Sequence, residues 1–235
     1  MKRYHWFGFL PFYLLAIIVF IGIAHLSSGA VTAVKQNTPI PRKYRFVIDA
    51  GHGGIDGGAT SCTGVLESTI NLEIAVKLND LMQFLGYDTV MIRTTDTSIH
   101  TKGDTIASQK VSDLKERARI VNETENAVLI SIHQNTFSDS RYGGAQVFYA
   151  AEGDSRQLAE KLQTTFKQTV NPGSNRKCKT AKGIYLMEHI DRTGLLIECG
   201  FLSNPQEEAK LRSPEYQNKL CCVIAATVGT YLSNT

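Results

Sequence analysis

Three polar residues that could act together each follow a short apolar, β-prone run. They are His52, His133 and Glu198, and a fourth, Glu67, directly precedes a segment with helical spacing. Two imidazoles and one carboxylate make a catalytic zinc site with an open coordination position. A second carboxylate beside such a site can move the protons of a hydrolytic reaction. The residue types therefore indicate metal-assisted hydrolysis, provided that the fold brings the four together.

A glycine-rich loop surrounds the first histidine. Five glycines lie within residues 49–59, and glycine permits tight turns and close approach of the backbone. A phosphate-binding loop is the obvious competitor, but the loop has no lysine and no P-loop pattern. His52 favours a metal ligand instead, and the ordinary alternative is a structural turn with an incidental histidine.

Each of the other three residues also has an ordinary explanation. Glu67 could simply complement a helix dipole, and His133 could be a hydrogen-bonded core histidine. Glu198 could belong to a buried ion pair, although a carboxylate after an apolar run is costly to bury without a reason. Beside a metal-activated water, a partly desolvated Glu198 would serve as the general base. The functional interpretation depends on the four occurring together.

Three further residues are candidates for supporting roles. Asp49 or Asp56 could accept the second N–H of a ligating histidine and so fix its tautomer, and Asp56 could equally be a turn residue. Asn135 could form hydrogen bonds with substrate, although asparagine also suits strand-to-loop turns. Asp49 and Asn135 are therefore predicted to bind substrate or to support the metal ligands.

Strand-like and helix-like segments alternate along most of the chain. The predicted strands are 44–49, 88–93, 127–132, 145–150, 184–187 and 194–198. The predicted helices are 68–85, 112–124, 154–169, a short one capped by Asn204 and Pro205, and 214–232, with a surface loop at 94–111. This order predicts a single α/β domain with a mostly parallel, twisted sheet of about six strands and helices on both faces. Ligands bind such sheets beyond the carboxyl ends of the strands, which is where His52, His133 and Glu198 fall.

The amino terminus has a different composition. Lys2 and Arg3 precede an uncharged run at residues 6–24, whose length suits a membrane-spanning helix better than a cleaved signal peptide. We therefore predict a membrane anchor in 1–26, with a cleaved leader as the alternative, a linker in 27–42 and a catalytic domain in 43–235. The basic flank predicts that the catalytic domain lies outside the cytoplasm.

The overall charge argues against one class of partner. Lys and Arg number 25 against 22 Asp and Glu. A nucleic-acid-binding protein would need a basic face, so nucleic acid is not expected as a partner.

The five cysteines do not form a zinc-ribbon pattern. Their odd number leaves at least one unpaired. We expect most of them to be small buried residues, with a disulfide from Cys62 or Cys178 as an open alternative.

Four segments together carry a family resemblance. Residues 47–54, Glu67 with 71–72, 131–135 and 197–204 resemble, in order, the motifs of the zinc-dependent N-acetylmuramoyl-L-alanine amidases. The match extends from about residue 44 to residue 232. It implies that His52, Glu67 and His133 bind Zn²⁺ and that Glu198 is catalytic. It also implies cleavage of the amide between N-acetylmuramic acid and L-alanine in peptidoglycan.

Within that family, residues 101–103, 182–187 and 201–205 are most similar to the spore-cortex, germination-specific amidases. This similarity implies removal of stem peptides so that a second enzyme can form muramic-δ-lactam. The expected partners are glycan strands with their stem peptides and an accessory sporulation or membrane protein. The alternatives are a vegetative autolysin or daughter-cell separation amidase, a zinc peptidase of carboxypeptidase type, and a catalytically silent wall-binding module.

Overall fold

A computed structural model describes residues 43–233 of the chain. The strands are β1 (Arg45–Ala50), β2 (Asp88–Met91), β3 (Ala127–Asn135), β4 (Gln146–Tyr149), β5 (Lys179–Thr180) and β6 (Thr193–Phe201). The helices are α1 (Glu67–Phe84), α2 (Ile106–Glu123), α3 (Ser155–Thr169), α4 (Tyr185–Glu188), α5 (Pro205–Leu211) and α6 (Pro214–Ser233). The predicted anchor and linker, 1–26 and 27–42, lie outside the described residues. Within 43–233, no helix combines the length and apolar character needed to cross a membrane.

The strands form one sheet in the order β2-β1-β3-β6-β4-β5. All neighbouring pairs are parallel except β4 and β6, which are antiparallel. Long crossover connections are required between parallel strands, and helices supply most of them here. The predicted single α/β domain with a mostly parallel six-stranded sheet is confirmed.

Helices cover both faces of the sheet, as predicted. Phe46 and Ile48 of β1 point into a core shared with α1, α3 and α6. Val47, between them, points into a second core shared with α2 and α4. This alternation follows from the two-residue period of a strand, and it makes β1 apolar on both sides.

Capping side chains set the beginnings of two helices. The Asn204 side chain accepts hydrogen bonds from the amides of Gln206 and Glu207, and Pro205 occupies the first turn of α5, as predicted. Helix α2 begins at Ile106 because Thr105 and Ser108 form a reciprocal capping box. The predicted start at residue 112 was therefore wrong, and the loop before α2 is shorter than expected.

The segment 184–187 was predicted to be a strand, and this was wrong. It forms most of the one-turn helix α4, in which the amide of Glu188 donates to the carbonyl of Ile184 and the Glu188 side chain accepts from the amide of Gly183. Four residues are too few to show a helical or strand period. The two-residue strand β5, which pairs with β4, was missed for the same reason.

The cysteines are less buried than expected. Cys199 and Cys221 are buried, Cys178 is half-buried, and Cys62 and Cys222 are exposed. All five are free thiols, so the alternative of a disulfide from Cys62 or Cys178 is not seen. Cys221 is buried and its neighbour Cys222 is exposed because successive positions on a helix point in different directions.

Candidate active site

The order of the sheet places three segments of the site side by side. Strand β3 lies between β1 and β6, and His133 is the register partner of Glu198. Ala50, the last residue of β1, pairs with Ile132, so His52 follows two residues beyond the same edge. The parallel arrangement therefore brings together residues that are far apart in the sequence, as the sequence predicted.

His52, Glu67 and His133 form one compact cluster. His52 Nε2 lies 3.3 Å from Glu67 Oε2, and His133 Nδ1 lies 3.0 Å from Glu67 Oε1. The two imidazole rings meet edge to face, with centroids 5.0 Å apart. One donor atom from each of the three residues lies within 4.8 Å of the others, so a single cation could contact all three.

Backbone hydrogen bonds hold the carboxylate of Glu67 in place without a metal ion. It is the first residue of α1, and its carboxylate accepts hydrogen bonds from the backbone amides of Ala59 and Gln134, each at 3.0 Å. Burial alone would raise its pKa, but hydrogen bonds and positive charge from His133 and His52 outweigh burial and hold the pKa far below its usual value. Glu67 is therefore an ionised carboxylate with a fixed orientation.

The backbone around the histidines leaves no room for side chains at two glycines. A Cβ at Gly51 would lie 2.2 Å from the His133 ring, and one at Gly58 would lie 2.6 Å from Glu67 Oε2. His52 itself has φ of 62°, a left-handed conformation that is uncommon for residues other than glycine. The glycines thus allow the backbone of the loop to lie close to the side chains of His133 and Glu67.

Two buried arginines hold the loop that carries His52. Arg117 of α2 donates to the backbone carbonyls of Ala50 and His52 and pairs with the buried carboxylate of Asp49. Arg93 donates from Nε to the carbonyl of Ala50 at 2.8 Å. Neither arginine was predicted from the sequence. The available signal for Arg117 was Asp113 four residues earlier on the same helix, a spacing that allows an ion pair.

The two aspartates that were considered as partners of a histidine have different positions. Asp56 Oδ2 lies 2.9 Å from His52 Nδ1, and its other oxygen pairs with Lys110 at 2.8 Å. Asp49 instead accepts from Arg117 and from Ser131 Oγ. Its side chain is buried, and Arg117 links it to the backbone carbonyl of His52. Its predicted role in binding substrate or supporting the metal ligands remains a prediction.

Asn135 lies half-buried at the end of β3, two residues beyond His133. Its backbone carbonyl accepts from the amide of Leu202. Its predicted substrate contact remains a prediction.

The charge on His52 is set by its acidic neighbours. Burial would lower its pKa, but the hydrogen bonds and charges of Glu67 and Asp56 outweigh burial and raise the pKa to about 9. His52 is thus mostly protonated at neutral pH when Glu67 and Asp56 are its partners. A metal ion that binds Nε2 would have to displace that proton.

Glu198 has the opposite environment. Its Oε2 atom is buried and has no hydrogen-bond partner among the described residues. Burial, opposed by the positive charge of His133 and reinforced by the negative charge of Glu67, raises its pKa to about 7. A carboxyl group with this pKa can hold or release a proton near neutral pH, which is the property that general acid–base catalysis requires.

The residues fit a divalent metal by their chemistry. Two imidazoles and one carboxylate are a donor set of catalytic zinc sites, and here they converge within the reach of one ion. Asp56 on the far nitrogen of His52 is the usual outer partner of a ligating histidine. Glu198, the register partner of His133, adds a carboxylate oxygen that has no hydrogen-bond partner among the described residues.

An α/β sheet with this cluster and a protonatable carboxyl group at the carboxyl ends of its strands has the active-site arrangement of a hydrolase. Comparison with known proteins gives the particular family. Residues 46–229 match the family model described as N-acetylmuramoyl-L-alanine amidase. The chain belongs to this family, and its activity is that of an N-acetylmuramoyl-L-alanine amidase acting on peptidoglycan.

Individual relatives agree with this assignment. A germination-specific N-acetylmuramoyl-L-alanine amidase of Bacillus subtilis is 32% identical over 99% of this chain and 96% of its own length. The CwlD amidase of Clostridioides difficile, solved in complex with the GerS lipoprotein, has a TM-score of 0.78 and 35% identity over 82% of this chain and 100% of that one. An N-acetylmuramoyl-L-alanine amidase of Clostridium difficile 630 has a TM-score of 0.70 and 31% identity, covering 81% and 97% of the two chains.

Proposed function

We propose that the chain is a zinc-dependent amidase in which His52, Glu67 and His133 bind the metal and Glu198 is the catalytic carboxylate. The observation that carries the proposal is the convergence of these three donors within 4.8 Å next to Glu198, the register partner of His133. When bound, zinc would polarise the substrate carbonyl and make a water more acidic.

The proton transfers belong to Glu198. In its ionised form it takes a proton from the water that attacks the lactyl carbonyl. It then gives that proton to the alanine nitrogen as the C–N bond breaks, and the products are a lactyl carboxylic acid and a free amine. A pKa of about 7 suits a group that must both accept and donate within one cycle. Asp56, which contacts Nδ1 of His52, holds that ring in the required orientation.

A Glu198→Gln substitution tests the role of Glu198. The amide keeps nearly the same shape but cannot accept the proton, so we expect hydrolysis of muropeptides to fall by about 10²–10⁴-fold while bound zinc is retained. Elemental analysis and product formation are measured on the same sample. The control is Glu125→Gln, an exposed glutamate that precedes β3 at the opposite edge of the sheet. Activity close to wild type in Glu198→Gln would contradict the assignment.

The products distinguish this function from its alternatives. Mass spectrometry should find intact stem peptides with a free alanine amine. A carboxypeptidase would release single amino acids from the other end of the stem. A silent wall-binding module would bind sacculi and release nothing.

We further propose that the enzyme acts outside the cytoplasm, held by an anchor in residues 1–26, on spore cortex, where peptide removal precedes muramic-δ-lactam formation. The relative described as germination-specific supports this location, and the CwlD–GerS complex supports a lipoprotein as the accessory partner. Digestion of purified cortex-type and vegetative peptidoglycan tests the proposal. Faster release of stems from vegetative peptidoglycan would favour the autolysin alternative.

A further inference from the structure

A basic groove lies on the β4–β5 side of the sheet. Its volume is about 860 Å³, and its described lining contains no acidic residue. The cations that line it are Arg141, Arg176, Lys177, Lys179 and Lys210. Such a concentration of one charge, in a groove large enough for a peptide segment, favours an anionic ligand.

Most of these charges are available to a ligand. Arg141 pairs with Asp139 at 2.7 Å and is partly neutralised. Lys177, Lys179 and Lys210 are exposed, and none of the three has an ion pair within the part of the chain that the structure describes. Three exposed ammonium groups therefore border one groove without an acidic partner among the described residues.

Arg176, which also lines the groove, is held in place by its contacts. Its Nε donates to the carbonyl of Gly143 at 2.7 Å, and its Nη1 donates to Gln146 Oε1 at 2.8 Å. Its guanidinium also lies 4.5 Å from the ring centroid of Phe201. Glu207, a nearby carboxylate, is engaged by the backbone amides of Gly144 and Phe201. A guanidinium fixed in this way loses little freedom when it binds a carboxylate.

The groove adjoins the catalytic carboxylate. Glu198 is the register partner of His133 on one side and of Gln146 on the other, and Gln146 lines the groove. Neighbouring strands are about 4.8 Å apart, so the groove begins roughly 10 Å from His133, beyond Glu198.

The proposed mechanism indicates which part of the substrate lies there. Glu198 gives its proton to the alanine nitrogen, so the stem peptide leaves from the Glu198 side of the scissile bond. Stem peptides carry free carboxylates on their side chains and at their ends. We propose that the basic groove binds the carboxylates of the stem peptide, so that this amidase selects stems by their negative charge. This inference rests on the proposed function.

Two forms of one substrate test the inference. Soluble N-acetylmuramoyl peptides are prepared with their stem carboxylates either free or converted to amides. We expect the wild-type full chain, loaded with zinc, to have a kcat/KM about tenfold higher for the free-acid form, because several exposed pairs each contribute a modest amount. The preference should shrink as ionic strength rises.

The double variant Lys177→Glu, Lys179→Glu should bring the ratio of the two kcat/KM values to one or below. The double variant Lys161→Glu, Lys219→Glu changes two exposed lysines of α3 and α6 outside the groove. It is the charge-matched control and should keep the wild-type ratio. A wild-type ratio of one would overturn the inference, and if sacculus binding still required the groove lysines, the groove would bind a different wall polyanion. Cleavage of neither form by wild type would instead refute the proposed function, and the inference with it.

Discussion

Several single residues in the catalytic cluster have conformations or environments that folding alone disfavours. His52 has a left-handed backbone, and Glu198 buries a carboxylate oxygen without a described partner. Each feature costs stability, of order 1–3 kcal/mol for backbone strain of this kind. The hydrogen bonds of Arg93 and Arg117 to the loop around His52 offset part of that cost.

We expect the ionised carboxylate of Glu198 to lower the stability of the fold. Its pKa is 4.5 when unperturbed and about 7 in the folded chain, so the unfolded state loses its proton first as pH rises. Stability is therefore lost between about pH 4.5 and 7, and above pH 7 the ionised group remains unfavourable by an amount on the order of 3 kcal/mol. Glu198→Gln should be more stable than wild type at pH 8 and equal to it near pH 4.

Urea unfolding with a chelator present measures this difference across the pH range. For Glu125→Gln, whose side chain is exposed, the difference in unfolding free energy from wild type should not change with pH. A Glu198→Gln variant with a constant difference from wild type between pH 4 and pH 8 would argue against the raised pKa.

A second prediction at this scale concerns Asp56. Because it contacts His52 Nδ1, Asp56→Asn should weaken zinc binding by about 10–100-fold. Competition with a chromophoric chelator measures the affinity. Asp96→Asn is the control, since Asp96 accepts from the amide of Gly54 in the same loop without contacting a histidine. Equal losses in the two variants would mean that loop stability, and not the histidine contact, is responsible.

The proximity of four residues could be predicted because each follows or precedes a recognisable strand or helix. They are His52, Glu67, His133 and Glu198. The choice between Asp49 and Asp56 could not be predicted. Both lie within a few residues of His52, Asp49 in β1 and Asp56 in the loop that follows, and only the left-handed turn at His52 decides which carboxylate its ring faces.

At the scale of elements, α2 is tied to β1 by a buried charge network. Arg117 is almost completely buried, as is its partner Asp49, and the same guanidinium pairs with Asp113 of its own helix. The network spans 68 residues of sequence between Arg117 and Asp49. The period of a helix predicts which face is buried, but it does not predict which residue of a distant strand lies opposite, so this contact needed the structure.

We expect Arg117→Met to destabilise the fold by about 3–5 kcal/mol, because Asp49 would remain buried without its cation. Arg119→Ala, on the same helix, should destabilise the fold much less than Arg117→Met, since the pairs of Arg119 with Glu116 and Glu123 are on the surface. Urea unfolding of the two variants compares them directly. Similar losses in both would show that the Asp49 pair contributes no more than a surface pair.

The elements that position the site were also those that the sequence predicted well. Strands β1, β3 and β6 are long or strongly apolar, and the parallel rule places their ends together. The failures were α4 and β5, which have four and two residues and no period of their own. Both elements contribute to cavities near the site. Tyr185 of α4 lines a cavity next to His52 and His133, and Lys179 of β5 lines the basic groove.

At the scale of the whole molecule, the proposed metal site joins distant parts of the fold. His52 follows β1, Glu67 begins α1 and His133 lies in β3, so the three donors converge only when the sheet and its first helix have formed. A ligand that binds only the native state raises the free energy of unfolding by RT ln(1 + [L]/Kd). Zinc should therefore act on the stability of the whole domain and not only on activity.

We expect zinc at about 100 times its Kd to stabilise the chain by about 2.7 kcal/mol, which corresponds to a rise in Tm of roughly 5–11 °C for a domain of this size. At a fixed zinc concentration the rise should be smaller at pH 6 than at pH 8, because protonation of His52 competes with ligation and raises the apparent Kd. His52→Ala should lose most of the shift. His189→Ala should keep it, because His189 is an exposed histidine directly after α4 and is not one of the three clustered donors. Thermal unfolding with and without zinc measures each case, and an equal shift in His52→Ala and wild type would show that zinc stabilises the protein from another site.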